Sequence, residues 1–264
     1  MNVAEKLALQ PGMIYAAEML IYASMLIAAF ILASIIYRYD IYDKEPWYLL
    51  TLVFFFGMAA CWACGFIEDI IIVKFRLDDS IAGMAMNAAI VEELAKLLIV
   101  VFVALVFRSH FDDPMDGLIY GAYAGLGAAV QESFFYIGLG EAKPSMVGQE
   151  VLRLILHTLM GGIDGFGIGL ARFQMRHWKK ILCSWMIASI TIHFFWDCVS
   201  ARVNSGTDGL AWKRIEALTL MIALLAIFAF SVMYGSRLSR AMLAPKSRKR
   251  LWGWPLSLLF RNRD

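Results

Sequence analysis

Charge is scarce in this sequence. Asp, Glu, Lys and Arg make up 17% of its 264 residues, where a soluble domain carries about a quarter. Hydrophobic residues make up 61%, which argues against a soluble globular domain and for a chain that lives in lipid. Cysteine is scarce as well. The four, Cys61, Cys64, Cys183 and Cys198, all fall in apolar stretches, so a secreted-type disulfide framework is not expected. Cys61 and Cys64 have redox-motif spacing, but no thioredoxin-like context surrounds them; two small residues on a packed helix is the simpler account. The chain has no internal repeat, no low-complexity segment and no HExxH zinc signature. No nucleic-acid partner is expected. Residues Met1 to Gly12 lack the basic start of a secretory signal peptide, so the first helix is expected to stay in the mature protein.

What is there in abundance is long apolar runs. A helix needs about 20 mainly apolar residues to span a bilayer. Seven stretches qualify, over roughly 13–37, 47–67, 81–107, 115–138, 149–171, 181–201 and 215–235. The expected fold is all-α, a polytopic membrane helical bundle of about seven transmembrane helices in one integral-membrane domain over residues 1–236. Pro46 and Pro114 suit the first turn of the helices they precede. Basic residues set the orientation. With the C-terminus inside, 15 Lys and Arg fall on the inner side and 7 outside; Lys96 and Arg153 complete the 24 from within spans. The expected topology is N-out, C-in. Residues 237–264 mix Lys and Arg with Leu, Trp and Phe. That is the pattern of a basic amphipathic cytoplasmic tail lying on anionic inner-leaflet lipids.

Gly117, Gly121 and Gly125 stand at four-residue spacing on the fourth stretch, and Gly161, Gly165 and Gly169 on the fifth. Such stripes let helix backbones approach closely. Packing these two helices together would hold Glu132 near His157.

The ionisable residues that do enter the spans are costly there and mark function by default. Glu92 and Glu93 sit mid-span with Lys96 one turn on. Glu132, then Arg153 and His157, then His193 and Asp197 follow on three later spans. Counted from the expected helix ends at 1.5 Å per residue, they share one band roughly 6 to 18 Å below the outer surface. Each pair alone could be a structural clasp; agreement in depth points to one buried catalytic centre. Glu92 and Lys96 are i,i+4, the preferred order for a helical ion pair, which leaves Glu93 the freer carboxylate and the favoured base. His193 and Asp197 are also i,i+4, and Arg153, His157 and Asp164 share one helix face. A carboxylate beside a histidine orients its ring and raises its basicity. Glu18, Glu68 and Asp69 fall near expected helix ends and are given no special role.

Glu92-Glu93-Leu94-Ala95-Lys96 resembles the EExxK motif of the PrsW family of intramembrane proteases. His193-Phe194-Phe195-Trp196-Asp197 resembles its HxxxD motif. Asp116-Gly117 through Gly125-Leu126-Gly127 to Glu132 is similar to its glycine-rich helix, and Asp43-Lys44-Glu45-Pro46 to the acidic loop before its second helix. The resemblance covers roughly residues 38 to 200. It implies an intramembrane endopeptidase of the bacterial inner membrane that cleaves a single-span membrane protein, an anti-sigma factor, near its extracytoplasmic end. It also implies kinship with the type II CAAX prenyl endopeptidases and bacteriocin-immunity proteins, in which the first glutamate of an EExxxR motif activates water. By that resemblance the base is Glu92. The relatives carry FxxxH where Ala128 to Glu132 stands here, and His157 lies on the helix between.

The expected mechanism uses a glutamate-activated water. Glu92 or Glu93 is the base, His193 braced by Asp197 donates to the oxyanion or the leaving amine, and His157 with Glu132 positions the water. Lys96 and Arg153 balance the acids. The cofactor is either none or zinc; in the zinc version His157, His193 and one carboxylate are ligands. Two other classes stand as alternatives: a non-catalytic scaffold related to the gamma-secretase scaffold subunit, and a proton-coupled transporter. Retention of both glutamates favours the enzyme.

Overall fold

A computed structural model describes residues 11–39, 43–138, 146–173, 175–204 and 210–243. Among them are seven α-helices and no strand. They are α1 (Pro11–Tyr39), α2 (Trp47–Phe75), α3 (Ile81–Val106), α4 (Pro114–Tyr136), α5 (Met146–Phe173), α6 (Trp178–Asn204) and α7 (Leu210–Leu243). Each expected stretch is a helix. Five of them contain segments long and apolar enough to cross a membrane: Glu18–Arg38, Trp47–Phe75, Val147–Phe173, Trp178–Arg202 and Arg214–Met242. The other two are diluted by function and packing. α3 carries Glu92, Glu93 and Lys96 at its middle, and α4 is rich in glycine and tyrosine.

The two boundaries that differ most from the expected ones are the ends of α2 and α7. α2 runs eight residues past 67, because Ile70 to Val73 continues the apolar run. It stops at Arg76, which adopts the left-handed conformation (φ 52°) while its backbone N–H bonds the carbonyl of Ile72. Glu68 and Asp69 therefore lie inside a helix and not at its end. α7 continues to Leu243, so residues 237–243 of the expected tail are helical; residues 244–264 lie outside the described residues.

Helix starts follow capping chemistry. Ser80 Oγ accepts from the N–H of Gly83 at 3.2 Å and opens α3. Pro114 takes the first position of α4, whereas Pro46 stands one residue earlier relative to α2, at the cap. α4 has a reciprocal capping box. Asp113 accepts from the N–H of Met115 at 2.6 Å, and Asp116 accepts from the N–H groups of Asp112 and Asp113 at 2.6 and 2.7 Å. Burial pushes the Asp113 carboxyl up to about 6.

α4 is the axis of the bundle, buried along most of its length. On one side it meets α5 with no side chains between. A Cβ on Gly117 would strike the carbonyl oxygen of Gly165, and one on Gly121 that of Gly161. One on Gly125 would strike that of His157. On another side Gly57 of α2 abuts the Ala124 carbonyl, and Gly127 abuts that of Phe54. Close approach of this kind supplies van der Waals contact where lipid offers no hydrophobic drive. Val100, Leu118, Ile119, Met160, Phe166 and Leu224 fill the space around these seams.

Candidate active site

The α4–α5 seam sets the first contact of the site. It places Glu132 beside His157, whose Nε2 lies 3.1 Å from a Glu132 oxygen. Glu132 is further held by Arg153 Nε at 3.3 Å. Arg153 also donates to Glu150 and covers the Tyr136 ring. α3 and α6 close the other side. His193 Nδ1 is 2.6 Å from Glu93 Oε1, and its Nε2 is 3.4 Å from Asp197. The two histidine rings meet edge to face at 5.2 Å between centroids. All six expected catalytic residues, with Lys96 and Arg153, thus form one connected network.

Its centre is the glutamate pair. Glu93 is 0% exposed and fully engaged. Its Oε1 accepts from Lys96 Nζ at 2.5 Å and faces His193, while its Oε2 accepts from Ser189 Oγ at 3.0 Å. Glu92 is the loose member. Its Oε2 lies 4.0 Å from Lys96 and 3.5 Å from His157 Nδ1, and it accepts no hydrogen bond although it is buried. The i,i+4 pair expected from helical spacing is present but is the looser of two. Lys96 lies closer to Glu93 at i,i+3, because Glu93 points into the bundle, where Lys96 also lies. The freer carboxylate is Glu92.

Both rings are mounted alike. Each has Nε2 braced by an outer carboxylate and Nδ1 turned toward the glutamate pair. The outer braces Glu132 and Asp197 are partly exposed, with side chains at 22% and 31%, whereas the glutamate pair is closed off. The network therefore runs from a more exposed rim to a closed interior. Cys61 and Cys64 are free thiols that share the wall beside Glu92 and Lys96 with Gly57, Ala60, Ala95 and Ala128.

Ligand atoms from Glu92, His157 and His193 all lie within 4.8 Å of one another. One carboxylate and two imidazoles suit a zinc-like ion with a position left open for water. Glu92 Oε2, buried and without a donor, and the carboxylate braces behind both rings fit that role. In a second acidic group, Asp112, Asp113 and Asp116, one oxygen each of Asp113 and Asp116 serves the cap of α4.

Residues 45–234 match the family described as PrsW family intramembrane metalloprotease. The chain belongs to the PrsW family. It is 27% identical over 166 residues to Protease PrsW of Geobacillus kaustophilus (strain HTA426), covering 63% of this chain and 73% of that protein. It is 29% identical over 161 residues to Protease PrsW of Bacillus subtilis (strain 168), covering 61% and 72%. Protease PrsW of Clostridioides difficile (strain 630) matches over 175 residues at 26%, covering 61% and 70%. No solved structure matches. As a PrsW-family member the chain is a multi-pass membrane protease, and its EExxK and HxxxD motifs are the segments that carry Glu92, Glu93, Lys96, His193 and Asp197.

Spacing alone missed two residues. Ser189 stands four residues before His193 on the same face of α6, so the i,i+4 rule that found Asp197 would have found it. Glu150 stands three before Arg153 in the same way. Asp164, placed by spacing on the face of His157, is buried and its carboxyl oxygens accept no hydrogen bond.

Proposed function

We propose that this protein hydrolyses a peptide bond of a single-span membrane protein near its extracytoplasmic end, with Glu92 as general base. The observation that carries this reading is Glu92 Oε2, a buried carboxylate oxygen with no hydrogen-bond donor, beside His157. Both Glu93 oxygens are engaged by donors, so Glu92 is the carboxylate free to take a proton from water. The resulting hydroxide adds to the scissile carbonyl carbon. His193, held between Glu93 and Asp197, delivers a proton to the leaving nitrogen as the C–N bond breaks, and Glu92 returns to its starting state through the network. His157, fixed at Nε2 by Glu132, orients the water. Lys96 offsets the two acids and stands near enough to His157 Nδ1, at 3.3 Å, to face developing negative charge.

A metal-dependent version has its own support in the Glu92, His157 and His193 donor set and in the family's description. Those three residues would hold the ion, which when bound would polarise the scissile carbonyl and acidify a water. Glu92 is then a ligand, and Glu93 is the carboxylate left for proton transfer. Glu132 and Asp197 keep both rings in place in either version.

The same reading takes all seven helices as spans, N-out and C-in, on the strength of the basic bias. It places the protein in a bacterial inner membrane and the basic tail on anionic lipid. The partly exposed rim of Glu132 and Asp197 lies at the end expected to face outward, which suits cleavage on the extracytoplasmic side. The substrate class, a membrane-anchored anti-sigma factor, follows the family resemblance, as does kinship with the type II CAAX prenyl endopeptidases. A membrane-proteome comparison in the native host tests the whole reading. Cells carry the wild type, Glu92→Gln with Glu93→Gln, or no copy. One single-span protein should accumulate uncut in the variant and in the deletion alike. A variant that behaves as wild type while the deletion has a phenotype would remove the glutamates from the chemistry.

A further inference from the structure

Five helices, α2 to α6, ring the buried centre, and their seams are not equally tight. α4 and α5 meet backbone to backbone as far as Gly125 and His157. The His157 and His193 rings join α5 to α6. His193 and Ser189 join α6 to α3 through Glu93, at 2.6 and 3.0 Å. α3 is tied to α2 where Cys64 Sγ meets the Val91 carbonyl at 3.8 Å and Asn87 Nδ2 donates to the Glu68 carbonyl at 3.2 Å. The fifth seam, between α2 and α4, is closed only toward the starts of the two helices. There Gly57 abuts the Ala124 carbonyl and Gly127 abuts that of Phe54.

Past that crossing α2 and α4 part. Cys61 of α2 and Ala128 of α4 line the space in front of Glu92 and Lys96. Gly65 lies about three turns beyond Phe54 on the same side of α2. Phe54 touches α4, but Gly65 is exposed, and among the described residues nothing lies within 4 Å of where its Cβ would stand. Gly65 is level with the glutamate pair, because its neighbour Cys64 reaches the carbonyl of the residue before Glu92. Glu132 of α4 is level with it too, since Glu132 and Glu92 both face His157, at 3.1 and 3.5 Å. These contacts outline a wedge, open between Gly65 and Glu132 and floored where Gly57 meets Ala124. At its foot is Glu92, 9% exposed, whose Oε2 has no hydrogen-bond partner.

A peptide bond cut at this depth must arrive unwound, and non-helical backbone is tolerated within a membrane only where it lies against protein or water. A wedge with a carboxylate at its foot and walls of Gly, Ala and Cys offers an extended chain that place. Its α2 arm is lightly held: no residue of α2 beyond Cys64 is buried, and Phe66, Ile70 and Val73 are more than half exposed. We propose, on the reading that Glu92 is catalytic, that the wedge between α2 and α4 is the side entrance through which the substrate's membrane span reaches Glu92, its unwound outer end lying between Gly65 and Glu132. The chain then comes in from lipid between two named helices and does not descend from water over the rim.

The probe is the single-span protein that accumulates uncut in the deletion strain. A photoreactive benzoylphenylalanine in place of Gly65, in the full-length Glu92→Gln, Glu93→Gln protein, should give an adduct with it. The same group in place of Gly148 should not; Gly148 is likewise exposed with nothing described within 4 Å, but it stands on α5, which forms neither wall. Gly65→Trp should fold as wild type and lower kcat/KM at least about tenfold, while Gly148→Trp stays within about twofold of wild type. Adducts of equal yield at the two positions, no adduct at 65, an adduct there to a second copy of this chain, or a Gly65→Trp protein as fast as wild type would each overturn the proposal. Should Gly65→Trp fail to fold, the adducts decide. Cleavage that continues in the Glu92→Gln, Glu93→Gln protein would instead sink the catalytic reading, with the adducts still reporting the path of the chain.

Discussion

Lys96→Met separates the observed pairing of the buried acids from the one that helical spacing suggests. Lys96 Nζ is 2.5 Å from Glu93 and 4.0 Å from Glu92, and its side chain is 2% exposed. At an effective dielectric of about 20, unit charges at these separations attract by about 7 and about 4 kcal/mol. Desolvation consumes much of either figure, but orphaning one member of a buried pair still costs about 3–5 kcal/mol. Lys96→Met should therefore be among the most destabilising single changes in the protein. Adding Glu93→Gln should recover much of the loss, since the orphaned charge goes with it; adding Glu92→Gln should recover less. The measurement is a double-mutant cycle on thermal unfolding in detergent, followed by far-UV circular dichroism. The Lys96–Glu93 coupling should lie toward the top of the usual range of about 0.5–3 kcal/mol, with Lys96–Glu92 about 1 kcal/mol smaller. Equal couplings, or a larger one to Glu92, would refute the geometry and restore Glu93 as the free carboxylate.

Other expectations follow from single contacts. Gly121→Leu drives a side chain into the Gly161 carbonyl and should abolish folded protein, whereas Gly65→Ala meets nothing within 4 Å and should stabilise α2 by about 0.5–1 kcal/mol; thermal melts of the two variants check both. Ser189→Ala removes a bond to the Glu93 anion and should cost about 1.5 kcal/mol in the same assay, and a change too small to measure would mean that the hydroxyl does not serve Glu93. Metal analysis of purified wild type beside a His157→Ala, His193→Ala double variant separates the two mechanisms. Stoichiometric zinc in the wild type alone supports the Glu92, His157 and His193 site, and its absence from both sinks the metal-dependent version.

The helices were legible because each depends on a local run of apolar residues, and their starts because caps are local too. The end of α2 was not, since Glu68 and Asp69 interrupt the apolar run and read as a helix end; the left-handed Arg76 settles where it stops. The membership of the site was legible from depth. Glu132 and His157 were expected to meet because two glycine stripes would bring their helices together, and they do at 3.1 Å. What spacing could not reach was the direction of each carboxylate. Glu92 and Glu93 are about 100° apart on the helix, and which of them faces the bundle depends on how α3 is rotated against α5 and α6. That rotation is a tertiary quantity, so spacing found the Glu92–Lys96 pair but not the closer contact of Lys96 with Glu93.

The bare seam between α4 and α5 has a consequence for how this protein tolerates change. When two side chains collide, a second substitution can trim the neighbour and restore the fit. Here the obstacle on each side is a peptide carbonyl, which every residue type carries. A replacement at Gly117, Gly121, Gly125, Gly161, Gly165 or Gly169 has no compensating partner anywhere in the chain. The six positions behave as one locked unit, and a mutational library that seeks new specificity should leave them untouched and spend its diversity on the rim.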